Sequence, residues 1–419
     1  MNEKGFRAIA IFHSSFRRLA DTAAVMLLLI FVIMQSGCLS FSFNTNSSTI
    51  IDPSYTEQIT DNSSVPTVSQ PPTAVESFEV TTKKLILAGL ADRQQSINIS
   101  DAIQPNKITE SEVQSTIDLV FKIYRGIYTQ HPEFFYLNGS INVSYSVSGL
   151  DGGLETMTVK PEYWPEMAEL SSAELDVKIG QINTQVEIIA DSVRQQTSVP
   201  WQQLQLIHDS LIQSIAYDLT LDQANNQAYS ALIEKSTMCQ GYAQSFQMIG
   251  QRLGFEIVMA MGDAAGIGHA WDIVNLNGQY YHIDATFDDP TPDGGAAAPV
   301  QHIHFLRSDK MMRETHQWIA DDFPACPEDG ALYYREQDLI ADSQTALKNM
   351  LRQFVQSIDF EVNQINAFEV LFTGSDLPDD ARLEDMIRSV LSDEAAVYSI
   401  LFSHQVSKQV VAVQITPDN

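Results

Sequence analysis

Hydrophobic positions along this chain follow a helical period over several long stretches. Ile117, Val120, Phe121, Tyr124, Ile127 and Tyr128 predict an amphipathic helix over 115–128, and Ile141 to Tyr145 alternates as a strand does. Ser172 is placed to cap a long helix whose stripe runs through Leu175, Ile182, Val186, Ile189 and Val193. Pro200 opens a second, with Leu204, Ile207, Leu211 and Ile215 on one face; His208 within it reads as a surface or boundary residue. A third stripe, Tyr242, Phe246, Ile249 and Leu253, starts just behind Cys239, and Gly254 supplies a left-handed stop. Towards the C-terminus, a helix through Ala346, Met350 and Phe354 precedes a strand at 368–372. A further helix over 381–391 leads to strands near 397–402 and 410–415.

The period changes after Gly254. Phe255 to Met261 reads as a strand, and Gly262 to Gly268, with three glycines, as a loop. His269 to Leu276 and Gln279 to Asp284 then flank Asn277-Gly278, the strongest two-residue hairpin signal a sequence offers. A two-residue turn pairs Leu276 with Gln279, which sets Trp271 opposite Asp284. His269, two residues before Trp271, projects from the same face, so His269 and Asp284 become diagonal neighbours within reach of a hydrogen bond.

This periodicity acquires chemistry through three residues. A cysteine at a helix N-terminus meets the positive end of the dipole and unpaired N–H groups, which favour thiolate and can stabilise an oxyanion. Cys239, His269 and Asp284 stand in the order nucleophile, base and orienting acid. Trp271, beside both partners, is a candidate wall shielding them from water. The segments Cys-Gln-Gly-Tyr at 239–242, Gly-His-Ala-Trp-Asp at 268–272 and Tyr-Tyr-His-Ile-Asp-Ala-Thr-Phe-Asp-Asp-Pro at 280–290 resemble the three motif blocks of the transglutaminase-like superfamily, with a papain-like core. The match is closest to its bacterial cell-envelope members. It extends upstream to Ile207–Asp218 and downstream to His304–Asp309, roughly 200–320, with Phe287 where that family usually has tryptophan. The resemblance implies that Cys239 is the nucleophile, His269 the base and Asp284 the orienting acid, and that no cofactor or metal is needed.

Composition places this core outside the cytoplasm. Lys4, Arg7, Arg17 and Arg18 precede an uncharged apolar run at 22–34, the form of an export signal and too short to span a bilayer comfortably. Ser36-Gly37-Cys38 is similar to a bacterial lipoprotein processing site and makes Cys38 the candidate lipidation residue, with an uncleaved signal anchor or plain secretion as alternatives. A stretch rich in Ser, Thr, Asn, Pro and Gln follows and reads as a flexible tether. The expected organisation is a signal over 1–38, a tether over 39–77, an N-terminal α+β unit over 78–165, a transglutaminase-like catalytic domain over 166–338 and a small C-terminal α+β unit over 339–419. The fold class is α+β: a helix bearing the cysteine packed on an antiparallel sheet bearing histidine and aspartate.

Charge narrows the partners. The net charge is −29, and removing 1–38 leaves 20 basic against 51 acidic residues, or −31. That balance argues against nucleic acid and against adsorption to anionic lipid. The expected partners are a peptide, protein or peptidoglycan-stem substrate, and a membrane through the N-terminal lipid or signal anchor. With Cys38 and Cys239 assigned, Cys326 stands alone among three cysteines, and a Cys239–Cys326 disulfide is the alternative that would remove the nucleophile. His302 and His304, with His282 or His316, offer a metal alternative on the weak signal of a His-x-His. Asp288, Asp289 and Asp293 offer a calcium one, although Asp288 and Asp289 read as turn residues. The function read from the sequence is a membrane-tethered thiol acyl-transfer enzyme acting on amides through a cysteine thioester, hydrolysis slightly ahead of transamidation. Its rival is a non-catalytic binding module of the same fold.

Overall fold

Capping residues and register together explain where the elements begin and end in the computed structural model. It describes residues 77–419 apart from 221–224, 265, 290–298, 329–330, 363, 396–397, 399, 408 and 418–419. The expected signal, Cys38 and the tether up to residue 76 lie outside the described residues. No helix among the described residues is long and apolar enough to cross a membrane. The described chain divides into two compact units, one formed by 77–127 with 137–162, the other by 128–136 with 163–417.

In the first unit Ser77 caps α1 (Phe78–Ala91) by accepting from the Val80 amide. After β1 (Ile97–Asn98) and α2 (Ser100–Asn106), Thr109 and Glu112 cap each other's amides and open the turn that leads into α3 (Val113–Gln130). Strands β2 (Leu137–Val147) and β3 (Leu154–Tyr163) complete a sheet in the order β1-β3-β2.

The second unit contains the predicted centre. Ser171, one residue earlier than expected, caps α4 (Ser172–Gln196) in a reciprocal box with Glu174, and Pro200 is the first residue of α5 (Pro200–Ser214). Short strands β4 (Ala216–Tyr217) and β5 (Ser236–Thr237) pair in parallel and deliver the chain to α6 (Cys239–Leu253). Tyr242, Phe246 and Ile249 are fully buried on α6, which packs against α4 and against two strands of the sheet. That sheet is antiparallel throughout, in the order β10-β6-β7-β8-β9, with β6 Ile257–Ala264, β7 Ile267–Leu276, β8 Gln279–Ile283, β9 Phe305–Arg307 and β10 His316–Gln317. The register Leu276↔Gln279 through Asp272↔Ile283 is the predicted one, and Asn277 and Gly278 both take positive φ, 55° and 86°.

The expected loop over 262–268 is replaced by a second tight hairpin, in which β6 continues to Ala264 and β7 begins at Ile267. Gly262 pairs with His269 within it. A Cβ at Gly262 would lie 2.1 Å from the Gln317 carbonyl of β10, so this glycine marks a close approach of two strands rather than a loop.

The C-terminal residues build a second sheet, β11-β12-β14-β13, from β11 Ile340–Ala341, β12 Asn366–Phe372, β13 Ile400–Ser407 and β14 Val410–Pro417. Helices α8 (Gln344–Ser357) and α9 (Asp380–Glu394), numbered after the short α7 (Ala285–Asp288) that follows β8, share a core with it. The stripe expected on α8 is displaced by one residue: Leu347, Leu351 and Val355 are buried, while Ala346, Met350 and Phe354 are only partly so. Both stripes are apolar, and only the position of the sheet decides between them.

Candidate active site

Three local structures put the expected trio together. Cys239 is the first residue of α6, after Met238, which offers no side-chain cap; of the opening amides that of Gln240 donates instead to Asn226 Oδ1, at 2.9 Å. His269 is on β7, and Asp284 follows β8 directly as the N-cap of α7. His269 Nε2 lies 2.7 Å from Asp284 Oδ2, and its remaining nitrogen is left to hydrogen-bond the Cys239 thiol. The Ala270 backbone N–H also donates to that sulfur. The diagonal neighbours predicted by hairpin parity are therefore hydrogen-bonded.

The electrostatics follow from burial and charge in competition. Burial pushes the Cys239 thiol up, but the His269 imidazole and the Ala270 amide outweigh it and hold the thiol below its ordinary value. Burial also pushes His269 down, and the Asp284 charge and hydrogen bond more than reverse this, raising it to about 10. Opposite shifts on adjacent groups favour the thiolate–imidazolium form of the pair. Cys326 and Cys239 are both free thiols, so the disulfide alternative is excluded. Burial leaves Cys326 pushed up and inert.

Asp284 is surrounded by four donors. Its Oδ1 accepts from the Thr286 and Phe287 amides at 3.0 and 3.1 Å, and its Oδ2 accepts from His269 and from His316 Nε2 at 2.8 Å. Against full burial, the His269 charge and these bonds hold Asp284 well below the usual carboxylate range. His316 was expected only as a metal alternative, and its role here was not legible: 32 residues separate it from Asp284, and only the pairing of β10 with β6 brings it in. Thr315 Oγ1 lies 2.7 Å from His316 Nδ1, so a neutral His316 accepts from the threonine and donates to Asp284. Burial drives it down to about 4 despite Asp284.

Aromatic rings enclose the group. Trp271, 1% exposed, stacks on His269 at 5.9 Å and meets His316 edge-on at 5.0 Å. Its indole N–H donates to His282 Nδ1 at 2.9 Å, which leaves His282 Nε2 as the donor to Asp309. Phe287 packs edge-on against His269 and lies against His316, each at 4.9 Å. Asp272, buried and with an unpartnered Oδ1, is pushed well up by burial and then by the Asp284 charge.

The other expected residues separate. His282, His302, His304 and His316 each engage a different aspartate, namely Asp309, Asp209, Asp288 and Asp284, so the metal set read from the sequence does not assemble. Asp293 lies outside the described residues. His208 is fully buried rather than at the surface, and Asp288 is a buried acceptor for His208 and His304 rather than a turn residue. Both were misread because each reaches its partner across the fold.

Residues 187–285 match the profile of the Transglutaminase-like superfamily. No curated protein matches the chain. Among solved structures it is similar to a TGase at 12% identity and TM-score 0.27, over 48% of this chain and 59% of that one. A candidate cysteine protease from Cytophaga hutchinsonii is 14% identical at TM-score 0.24, over 38% and 65%. A candidate protease from Parabacteroides distasonis is 8% identical at TM-score 0.21, over 68% and 63%. The chain spans about three fifths of the length of these structures, and likenesses of that size say nothing about chemistry. The chain is α+β, and its residues 187–285, which contain Cys239, His269 and Asp284, are a transglutaminase-like core.

Proposed function

We propose that this protein is a thiol acyl-transfer enzyme for peptide or protein amides, with Cys239 as nucleophile, His269 as base and Asp284 as the group that orients the base. The observation that carries this reading is the single line of contacts from a helix-start thiol through an imidazole to a buried carboxylate, the last step 2.7 Å long. The Cys239 thiolate attacks the carbonyl carbon, and the oxyanion forms beside the Cys239 backbone N–H. The Gln240 amide is already spent on Asn226 Oδ1, and the Trp271 N–H on His282. His269 passes its proton to the leaving amine as the C–N bond breaks, which leaves a thioester. His269 then takes a proton from water or an amine, and the acceptor displaces the thiolate.

Hydrolysis is the preferred outcome over transamidation, since water needs no binding site of its own whereas an amine acceptor does. The N-terminal export signal, Cys38 and tether support placement at the outer face of a membrane, and with it envelope peptides or peptidoglycan stems as substrates. The alternative, a binding module with an idle trio, is favoured by one observation: Cys239 and His269 are only 7% and 6% exposed.

Alkylation of Cys239 by iodoacetamide against pH separates the two. An activated thiol reacts well below the free value of about 8.5, and His269→Ala removes that reactivity. A thiol that titrates normally in both proteins, or never reacts, would sink the enzyme reading.

A further inference from the structure

Among the described residues three groups of side chains bring ligand-type atoms within 4.8 Å of one another: His269, Asp284 and His316; His282, Asp309 and Cys326; and His208, Asp209 and His302. Their outer hydrogen bonds tell them apart. A ligating imidazole binds through one nitrogen and donates its other N–H, commonly to a carboxylate that fixes the tautomer. In the first group the outer nitrogen of His269 faces the thiol, and that of His316 faces the Thr315 hydroxyl. In the second, His282 Nδ1 accepts from Trp271, so the proton sits on the nitrogen that would have to bind. Neither suits a metal.

The third group does. His208 Nδ1 and His302 Nε2 both point at Asp209 Oδ1, at 2.9 and 3.0 Å. Behind them, His208 Nε2 is 3.2 Å from Asp288 Oδ2, and His302 Nδ1 is 3.5 Å from Glu369 Oε2. Each imidazole thus has a carboxylate on the side away from Asp209: His208 is hydrogen-bonded to its own, while His302 Nδ1, buried and without a hydrogen bond, faces Glu369. His208 is fully buried and His302 nearly so, while the Asp209 side chain is 23% exposed and leaves one direction open to water. Around a tetrahedral zinc with bonds of about 2.0–2.1 Å, neighbouring ligand atoms are about 3.3 Å apart, so the two contacts on Asp209 Oδ1 need open by only a few tenths of an ångström, and the two imidazole nitrogens already lie within 4.8 Å of each other.

We propose that His208 Nδ1, Asp209 Oδ1 and His302 Nε2 bind a divalent transition metal, with Asp288 and Glu369 holding the two imidazoles in the ligating tautomer. The metal pins α5 to the segment that leads into β9. The donor set, two imidazoles and a carboxylate, suits zinc.

The test uses the full chain stripped of metal and titrated with zinc, then with cobalt as a spectroscopic substitute. One zinc per chain is expected in the parent and in Cys239→Ala. Binding should weaken by about 10²-fold or more in Asp209→Asn and by about 10- to 100-fold in Glu369→Gln. The cobalt spectrum should carry no thiolate charge-transfer band. Absence of zinc binding, or zinc lost in Cys239→Ala but kept in Asp209→Asn, would overturn the proposal. Should Asp209→Asn fail to fold, the cobalt spectrum of the parent decides, since a thiolate band would move the metal to Cys239 or Cys326.

Discussion

At the scale of single residues, Asp284 does two jobs with one carboxylate. One oxygen caps α7 and the other serves two imidazoles. A hydrogen bond to a charged group contributes about 1.5–3 kcal/mol, so loss of the His316 donor should cost roughly 10- to 100-fold in any rate that depends on the ion pair. His316→Ala is therefore expected to lower turnover and to move the alkylation profile of Cys239 to higher pH. His316→Gln, which can still donate, should restore part of both. A purely structural His316 would change stability and leave the alkylation profile where it was. Asp284→Asn keeps an acceptor for the Thr286 and Phe287 amides but turns an N–H towards two imidazoles. Turnover should fall on the order of 10²–10⁴-fold while the protein stays folded, which circular dichroism beside the kinetics would check. Simple unfolding would make Asp284 a structural residue.

At the scale of elements, the position of β10 governs whether His316 reaches the site. Gly262 permits the approach, since a Cβ there meets the Gln317 carbonyl. Gly262→Ala is expected to push β10 away and so to reproduce the His316→Ala alkylation profile, although residue 262 meets the trio only as the backbone strand partner of His269. Unchanged thiol reactivity in a folded Gly262→Ala would show that the contact yields without moving His316. The same glycine misled the sequence reading, because a glycine in an open loop and one under a crossing strand are identical in one dimension.

For the whole molecule, the buried histidines set opposite limits on stability. His316 is driven down from 6.5 to about 4, so below 6.5 the unfolded chain takes up a proton that the native one refuses, and stability falls as the pH drops. His269 is raised to about 10; its contribution is fully present below 6.5 and is lost progressively as the pH rises from there through about 10. The melting temperature should be highest between these limbs and decline on either side, as scanning calorimetry across pH would register. His316→Gln should flatten the acid limb, and an acid limb identical in that variant would assign the loss to other groups.

Much of the centre was determined by the sequence itself. The helix beginning at Cys239, the Asn277-Gly278 turn and the face shared by His269 and Asp284 depend on short-range spacing, capping and strand parity. Those rules act over a few residues and can be read in one dimension. The rest was decided only by the tertiary structure. The displaced stripe on α8, His316 on Asp284, and the imidazoles of His208 and His302 on Asp209 join residues far apart in the chain. Nothing local distinguishes a buried histidine with a carboxylate partner from an exposed one without it. Packing chooses the partner, and the low dielectric of the interior then makes that choice costly to undo.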